Sequence, residues 1–392
     1  MLFAFIVLFD ECVSQIAKDK CKFLGNIISG STPMDFTMYW NQVTPENAGK
    51  WGSVETIRDI MNWTQLDNAY NTAKSNNFPF RQHTFVWGQQ QPEWMSTLSA
   101  TEQKQEIEEW IQAYCERYPQ TDFIDVVNEP LHAPPSYRLA LGGSGLSGWE
   151  WVVWTFEKAR QYCPNAKLFL NDYNIVNDNG ATTSYLQIIN LLKSKNLIDG
   201  IGEQGHFLES TPMTTIKANL DRLAATGLPI HISELDVHLA DDTQQKNKYE
   251  ELFPVLWSHP AVYGITLWGY RQGEIWRENA YLARTNGSER PALSWLKSYV
   301  ANSTGGTLCS PVSVREELDA PFHAYPNPSE GKIFISLPEG KYSVVIVDVT
   351  GKIVDAVNVD GSTPIEFSLS AGFYLIKVIG PASTTVSRIV VN

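Results

Sequence analysis

The sequence has no Cys-x-x-Cys pair, no His-x-x-x-His pair, no long apolar run and no excess of positive charge. Each absence excludes a class of function. Without Cys-x-x-Cys there is no sign of a zinc ribbon or a redox dithiol. Without paired histidines a metal site is disfavoured, and neither a metal nor a cofactor is expected. No apolar stretch approaches the roughly 20 residues that a membrane-spanning helix needs. The formal net charge is −13. An acidic chain repels phosphate backbones, so nucleic acid is not an expected partner. A neutral polymer suits this charge.

The aromatic content points the same way. The 13 Trp and 16 Tyr exceed what a routine core needs, and flat rings suit the C–H faces of sugars. At least half of these aromatics are expected simply to fill the core. The five cysteines are Cys12, Cys21, Cys115, Cys163 and Cys309. Either Cys21 and Cys309 bridge the ends of the larger domain, or the cysteines are free buried thiols.

A length of 392 residues calls for one large domain and a smaller one. The opening MLFAFIVLF resembles the core of a secretory signal, clipped at its basic end, and residues 1–15 are assigned to it. From about residue 20 to 301, short apolar runs alternate with helical stretches. The candidate strands are KFLGNIIS, MYWNQVT, FPFRQHTFVW, FIDVVN, KLFLND, IDGIGEQGH, PIHISELDV and VYGITLWG. Continuous apolar runs are expected of strands buried on both faces of a parallel sheet. One intervening helix is explicit. Ser99 and Glu102 spell a capping box, and Ile107, Trp110, Ile111 and Tyr114 share a face. The expected fold is α/β, a (β/α)₈ TIM barrel. Residues 302–321 read as a linker, and residues 322–392 alternate as a small all-β sandwich.

In such a barrel the polar residues at the C-terminal strand ends form the active site. The fourth strand ends in DVVNEP and the seventh in ISELDV. A carboxylate directly after a buried strand is costly unless something uses it, which separates Glu129 and Glu234 from helix-face residues such as Glu106 and Glu109. Strands four and seven lie on different sides of the barrel, so the two groups can face each other as a glycosidase pair. Glu234 and Asp236 point to one face of their strand, and His206 ends the neighbouring strand. An imidazole there favours ionised carboxylates, so Glu234 reads as the nucleophile. Glu129, beside that charge, reads as the general acid and then base. Other rims offer Glu46, Asn47 and Lys50, then His83, Trp87 and Gln90, then Asn171, Asp172 and Tyr173, then Gln204, and finally Trp268 and Trp276.

The segments VTPENAGKW, RQHTFVWGQQQPEW, DVVNEP, LFLNDYN, IDGIGEQGHF, ISELDV and GITLWG, in this order, resemble glycoside hydrolase family 10, the β-1,4-xylanases. The resemblance covers roughly residues 20–300. It implies a barrel that hydrolyses xylan or xylo-oligosaccharides with retention, Glu129 as acid/base and Glu234 as nucleophile. It also implies that His206 contacts Glu234, and that Asn128 bonds the sugar 2-hydroxyl or Glu234. Glu46, Asn47, Lys50 and His83 would line the glycone side, with Trp87, Trp268 and Trp276 walling the sugar at the cleavage point. The chain departs from the family at Gly88, where a histidine is usual, at Gly49, and in the loop after Trp268 with Arg271, Glu274 and Arg277. The rival readings are a glucanase acting on cellulose or mixed-linkage glucan, and a non-catalytic glycan binder. The segments AYPNPSEGKIFISL, VDVTGKIV, AGFYLIKV and RIVVN resemble the C-terminal sorting domain of the type IX secretion system. That resemblance implies a partner in the secretion machinery, and a secreted or cell-surface protein exported across a Gram-negative outer membrane. A monomer is expected.

Overall fold

The computed structural model describes residues 15–303, 322–348, 352–361, 363–380 and 384–392. The chain divides into two compact units, residues 1–308 and 309–392. The proposed signal segment, apart from Gln15, and nearly all of the proposed linker lie outside the described residues, as does Cys309.

The first unit is an eight-stranded parallel sheet: β1 (Phe23–Ile28), β2 (Val43–Pro45), β3 (Arg81–Val86), β4 (Phe123–Asn128), β5 (Lys167–Asp172), β6 (Gly200–Glu203), β7 (Ile230–Leu235) and β8 (Val262–Leu267). The hydrogen-bonded order is β2-β1-β8-β7-β6-β5-β4-β3. A parallel bridge from Val43 to Phe80 joins its two edges, so the sheet closes as a (β/α)₈ barrel. Closure leaves no free edge. Seven strands fall within their expected segments. The second differs: Phe36–Tyr39 is a short helix, and only Val43–Pro45 pairs. Trp40, fully buried between them, belongs to the core rather than to a strand.

Helices cover the barrel because their apolar stripes match its outer face. In the helix Ala100–Arg117 both bonds of the capping box form between Ser99 and Glu102. Ile107, Trp110, Ile111 and Tyr114 are buried as the periodicity requires. Truncating a buried Trp such as Trp110 would cost about 3–5 kcal/mol. Glu106 departs from the expectation of a solvated helix face. It is 6% exposed, and Arg58 donates to it through Nε at 2.8 Å. A short helix and loop before Arg58 fold over this face, which the helical period alone does not reveal. Cys115 and Cys163 differ from the free-thiol reading, while the Cys21–Cys309 bridge falls outside the described residues with Cys309. Cys115, in this helix, is disulfide-bonded to Cys163, which follows the helix Glu150–Tyr162. The two adjacent helices are thereby joined where each ends.

Inside the barrel the floor is aromatic. The His231 ring meets Phe23, Phe123 and Phe169 at 5.0, 4.7 and 4.4 Å. Gly264 makes room for this layer, since a Cβ there would lie 2.2 Å from the Phe23 ring. Next, Arg81 pairs with Asp125 and reaches His231 Nδ1 at 3.1 Å. Burial and the Arg81 charge hold His231 well below its ordinary pKa, so it stays neutral.

The second unit is all β. Its sheets are β9 (His323–Tyr325), β10 (Lys332–Ser336) and β13 (Ile365–Ser368), and β11 (Lys341–Asp348), β12 (Ile353–Asp360), β14 (Gly372–Ile379) and β15 (Thr384–Val391). Ile333, Ile335, Val344, Ile346, Ile376 and Val378 form its core. Among the described residues no helix is long and apolar enough to cross a membrane.

Candidate active site

Glu129 follows β4 directly and lies in the left-handed region at φ 54°. That conformation costs a non-glycine residue roughly 1–2 kcal/mol. It persists because the neighbours hold it: the Glu129 amide donates to Asn171 O at 2.7 Å. Glu234 lies within β7, and its amide donates to Gln204 O at 2.7 Å. Both side chains line one cleft of about 460 Å³ at the C-terminal strand ends.

A chain of buried amides joins the two carboxylates. Asn171 Nδ2 donates to Glu234 Oε1 at 2.7 Å and to Asn128 Oδ1 at 2.9 Å. Gln204 Nε2 donates to Asn128 Oδ1 and to Glu129 Oε1, both at 3.2 Å. Asn128 Nδ2 lies 3.3 Å from Glu129 Oε1. The amide partner of Glu234 is thus Asn171, not Asn128. Trp87 Nε1 donates to the other oxygen of Glu129 at 2.9 Å.

The electrostatics separate the pair. Burial raises the Glu129 pKa, as does the charge on Glu234, and the bonds from Gln204 and Trp87 offset this only in part. Burial would also raise Glu234, but the imidazoles of His83 and His206 outweigh it and hold the carboxyl below its ordinary range. His206 sits between two acids: Nε2 is 3.3 Å from Glu234 Oε2 and Nδ1 is 2.9 Å from Asp236 Oδ2. Burial alone would lower His206, yet Asp236 and Glu234 push it up to about 10. The ring is therefore a cation across the neutral range.

Residues 14–299 match the profile of glycosyl hydrolase family 10. The chain belongs to that family. Residues 323–392 match a secretion system C-terminal sorting domain. Endo-1,4-beta-xylanase B of Cellvibrio japonicus (strain Ueda107) is 46% identical over 280 residues, which are 70% of this chain and 45% of that protein. Endo-1,4-beta-xylanase A of Phanerodontia chrysosporium is 32% identical over 259 residues, 63% of this chain and 62% of that protein. The chain therefore spans less than two thirds of the length of these curated relatives. Among solved structures, native xylanase 10B from Thermotoga maritima matches with a TM-score of 0.65 at 25% identity, covering 73% of this chain and 97% of that one. Xylanase 10B from Thermotoga petrophila RKU-1 in complex with xylobiose matches with a TM-score of 0.64 at 25% identity, covering 73% and 95%.

Most of the remaining rim residues of this family 10 barrel converge on the same cleft; Asn171 and Asp172 are fully buried and do not line it. Glu46, Asn47, Lys50 and Gln90 line it on the β2 and β3 side. Lys50 Nζ donates to Gln90 Oε1 at 2.7 Å and to Asn47 Oδ1 at 3.1 Å, and lies 5.0 Å above the Trp87 ring. His83, Tyr173, Trp268 and Trp276 line it too. The exposure of the tryptophans differs sharply: Trp268 is nearly buried, whereas Trp276 is half exposed. Asp236 does not line the cleft; it stands behind His206, held by Trp276 Nε1 at 2.9 Å and Arg277 Nη1 at 2.5 Å.

Phe207 and Gln89, which line the cleft, escaped the sequence reading. Phe207 directly follows His206, which was the only available signal. Arg277 pairs with Glu209 as well as Asp236, so it anchors the β8 loop rather than facing the cleft. Arg271 pairs with Asp35 and Glu274. Glu203 is fully buried, and burial pushes it up to about 8. Gly88 has a steric reason: its amide donates to Ala133 O at 2.9 Å, and a Cβ would lie 2.4 Å from that oxygen.

Proposed function

We propose that the chain is a retaining endo-β-1,4-xylanase that works by double displacement. The observation that carries this reading is the opposite tuning of Glu129 and Glu234 within one cleft of a family 10 barrel. Glu234 attacks the anomeric carbon as the C1–O bond breaks, and Glu129 gives its proton to the departing oxygen. Glu129, now ionised, takes a proton from water. That water attacks C1 and releases Glu234. His206 and Asp236 keep Glu234 charged. Asn128, Asn171 and Gln204 fix the carboxylates, while Glu46, Asn47, Lys50, His83 and Gln90 bond sugar hydroxyls. Trp87, Tyr173, Trp268 and Trp276 supply ring faces. Xylan as the substrate draws on the xylanases of Cellvibrio and Phanerodontia and on the Thermotoga structure with xylobiose.

The test is digestion of xylan with the product anomer followed by NMR. Internal cleavage giving the β-anomer first supports the reading. The α-anomer first would sink retention, and faster turnover of cellulose or mixed-linkage glucan would replace the substrate. Glu234→Ala should abolish hydrolysis and leave glycan binding intact; unchanged hydrolysis would refute the nucleophile. For the tail we propose recognition by the type IX machinery and release across a Gram-negative outer membrane, supported by the sorting-domain match. Deleting residues 322–392 in a host with that system should retain the enzyme inside the cell envelope.

A further inference from the structure

His132 lies three residues beyond Glu129 and takes no part in the reading above. Its contacts are specific. Nδ1 is 2.7 Å from Asp172 Oδ1. Its ring stacks on Tyr173 at 4.2 Å with an interplanar angle of 28°. Asp172, at the end of β5, is fully buried. Its carboxylate also accepts from the amides of Leu131 at 3.0 Å and Tyr173 at 2.9 Å. The turn between is tight: the Glu129 carbonyl accepts from His132 N at 3.2 Å and Ala133 N at 2.8 Å, and Ala133 O accepts from Gly88 N. Glu129 thus sits at the head of a turn fastened at three places, to β5 through its own amide, to Asp172, and to Gly88. The imidazole is the one side chain in the turn that closes the second fastening.

We infer that His132 is a positioning residue for the proton donor. Through Nδ1 it ties the turn that carries Glu129 to Asp172, and through its ring face it holds Tyr173 beside the cleft. This rests on the proposed role of Glu129 as acid. A donor displaced by a fraction of an ångström loses much of its effect on a poor leaving group. It loses little on one that departs without a proton.

The experiment compares kcat/KM on xylopentaose with kcat/KM on 2,4-dinitrophenyl xylobioside, since both report glycosylation. His132→Phe keeps a flat ring for Tyr173 and removes the bond to Asp172. His132→Asn restores a donor near the Nδ1 position. Glu129→Ala serves as the reference, and circular dichroism checks folding of each variant. With His132→Phe, xylopentaose should fall about ten- to hundredfold and the activated substrate by no more than about threefold. His132→Asn should recover most of the loss. Equal losses on both substrates, no loss on either, or no recovery with Asn, while Glu129→Ala still discriminates between the substrates, would overturn the inference. If Glu129→Ala itself fails to discriminate, the acid role of Glu129 falls first.

Discussion

Replacing Asp236 by Asn tests how Glu234 is kept charged. Asp236 is 2.9 Å from His206, and that ring is 3.3 Å from Glu234. Attraction across 2.9 Å at an effective dielectric of about 20 is on the order of 5–6 kcal/mol. Each pKa unit is worth about 1.4 kcal/mol. Losing that attraction brings His206 down from about 10 toward the neutral range. Above that new value the ring is uncharged and Glu234 loses one of the two imidazoles that hold it low; below it the ring keeps its charge. In the proposed mechanism Glu234 works as the anion, so activity is lost as pH falls through its pKa. That pKa lies below the neutral range, where the ring still carries its proton, so the acid limb of kcat/KM should stay in place. The His206 ring, a cation across the neutral range in the parent, should instead titrate within that range in the variant. Asn has one acceptor oxygen where Asp236 has two, so it keeps the bond from Arg277 and loses the one from Trp276; Arg277 is still held by Glu209, so the loop after β8 keeps that anchor. The assay follows the His206 ring by NMR across pH beside the pH profile on an aryl xylobioside. A ring that stays charged throughout the neutral range in the variant would show that Asp236 acts by packing and would refute the electrostatic account.

Three further outcomes are expected. Trp87→Phe removes the Nε1 bond that stabilises ionised Glu129; the Glu129 pKa should rise further, carrying the alkaline limb up with it, and a limb moving down would contradict the assignment. Gly88→Ala places a methyl 2.4 Å from Ala133 O; the turn must shift, with a loss of about 1–3 kcal/mol in denaturant stability and slower xylan hydrolysis, and wild-type behaviour in both would remove the steric argument. Cys115→Ser with Cys163→Ser opens a link between residues 48 apart; the cost should be about 2–5 kcal/mol, seen as a lower Tm against the parent.

The sequence carried far at the strand ends. Buried strands read as apolar runs, and a Glu after such a run is conspicuous because burial without use is costly. Glu129, Glu234, His206 and Asp236 were legible for that reason, as was the capping box at Ser99. Helix faces were less legible. Glu106 carries the helical period of a solvated residue, but Arg58 comes from a distant segment to cover it. The Cys115–Cys163 bridge likewise depends on two helices ending side by side, which spacing does not encode.

By itself the sequence determined the barrel, the carboxylate pair and the sense of their tuning, because these follow from residue type at strand ends. Only the tertiary structure decided which amides hold them. Asn171 rather than Asn128 bonds Glu234, and Arg277 backs Asp236 instead of reaching the cleft. Gly88 is required by the Ala133 carbonyl. His132 drew no notice in the chain, three residues past a motif. Its place under Tyr173 and against Asp172 appears only when β4 and β5 lie side by side. A hydrogen bond between residues 40 apart is settled by register, and register is a property of the closed sheet.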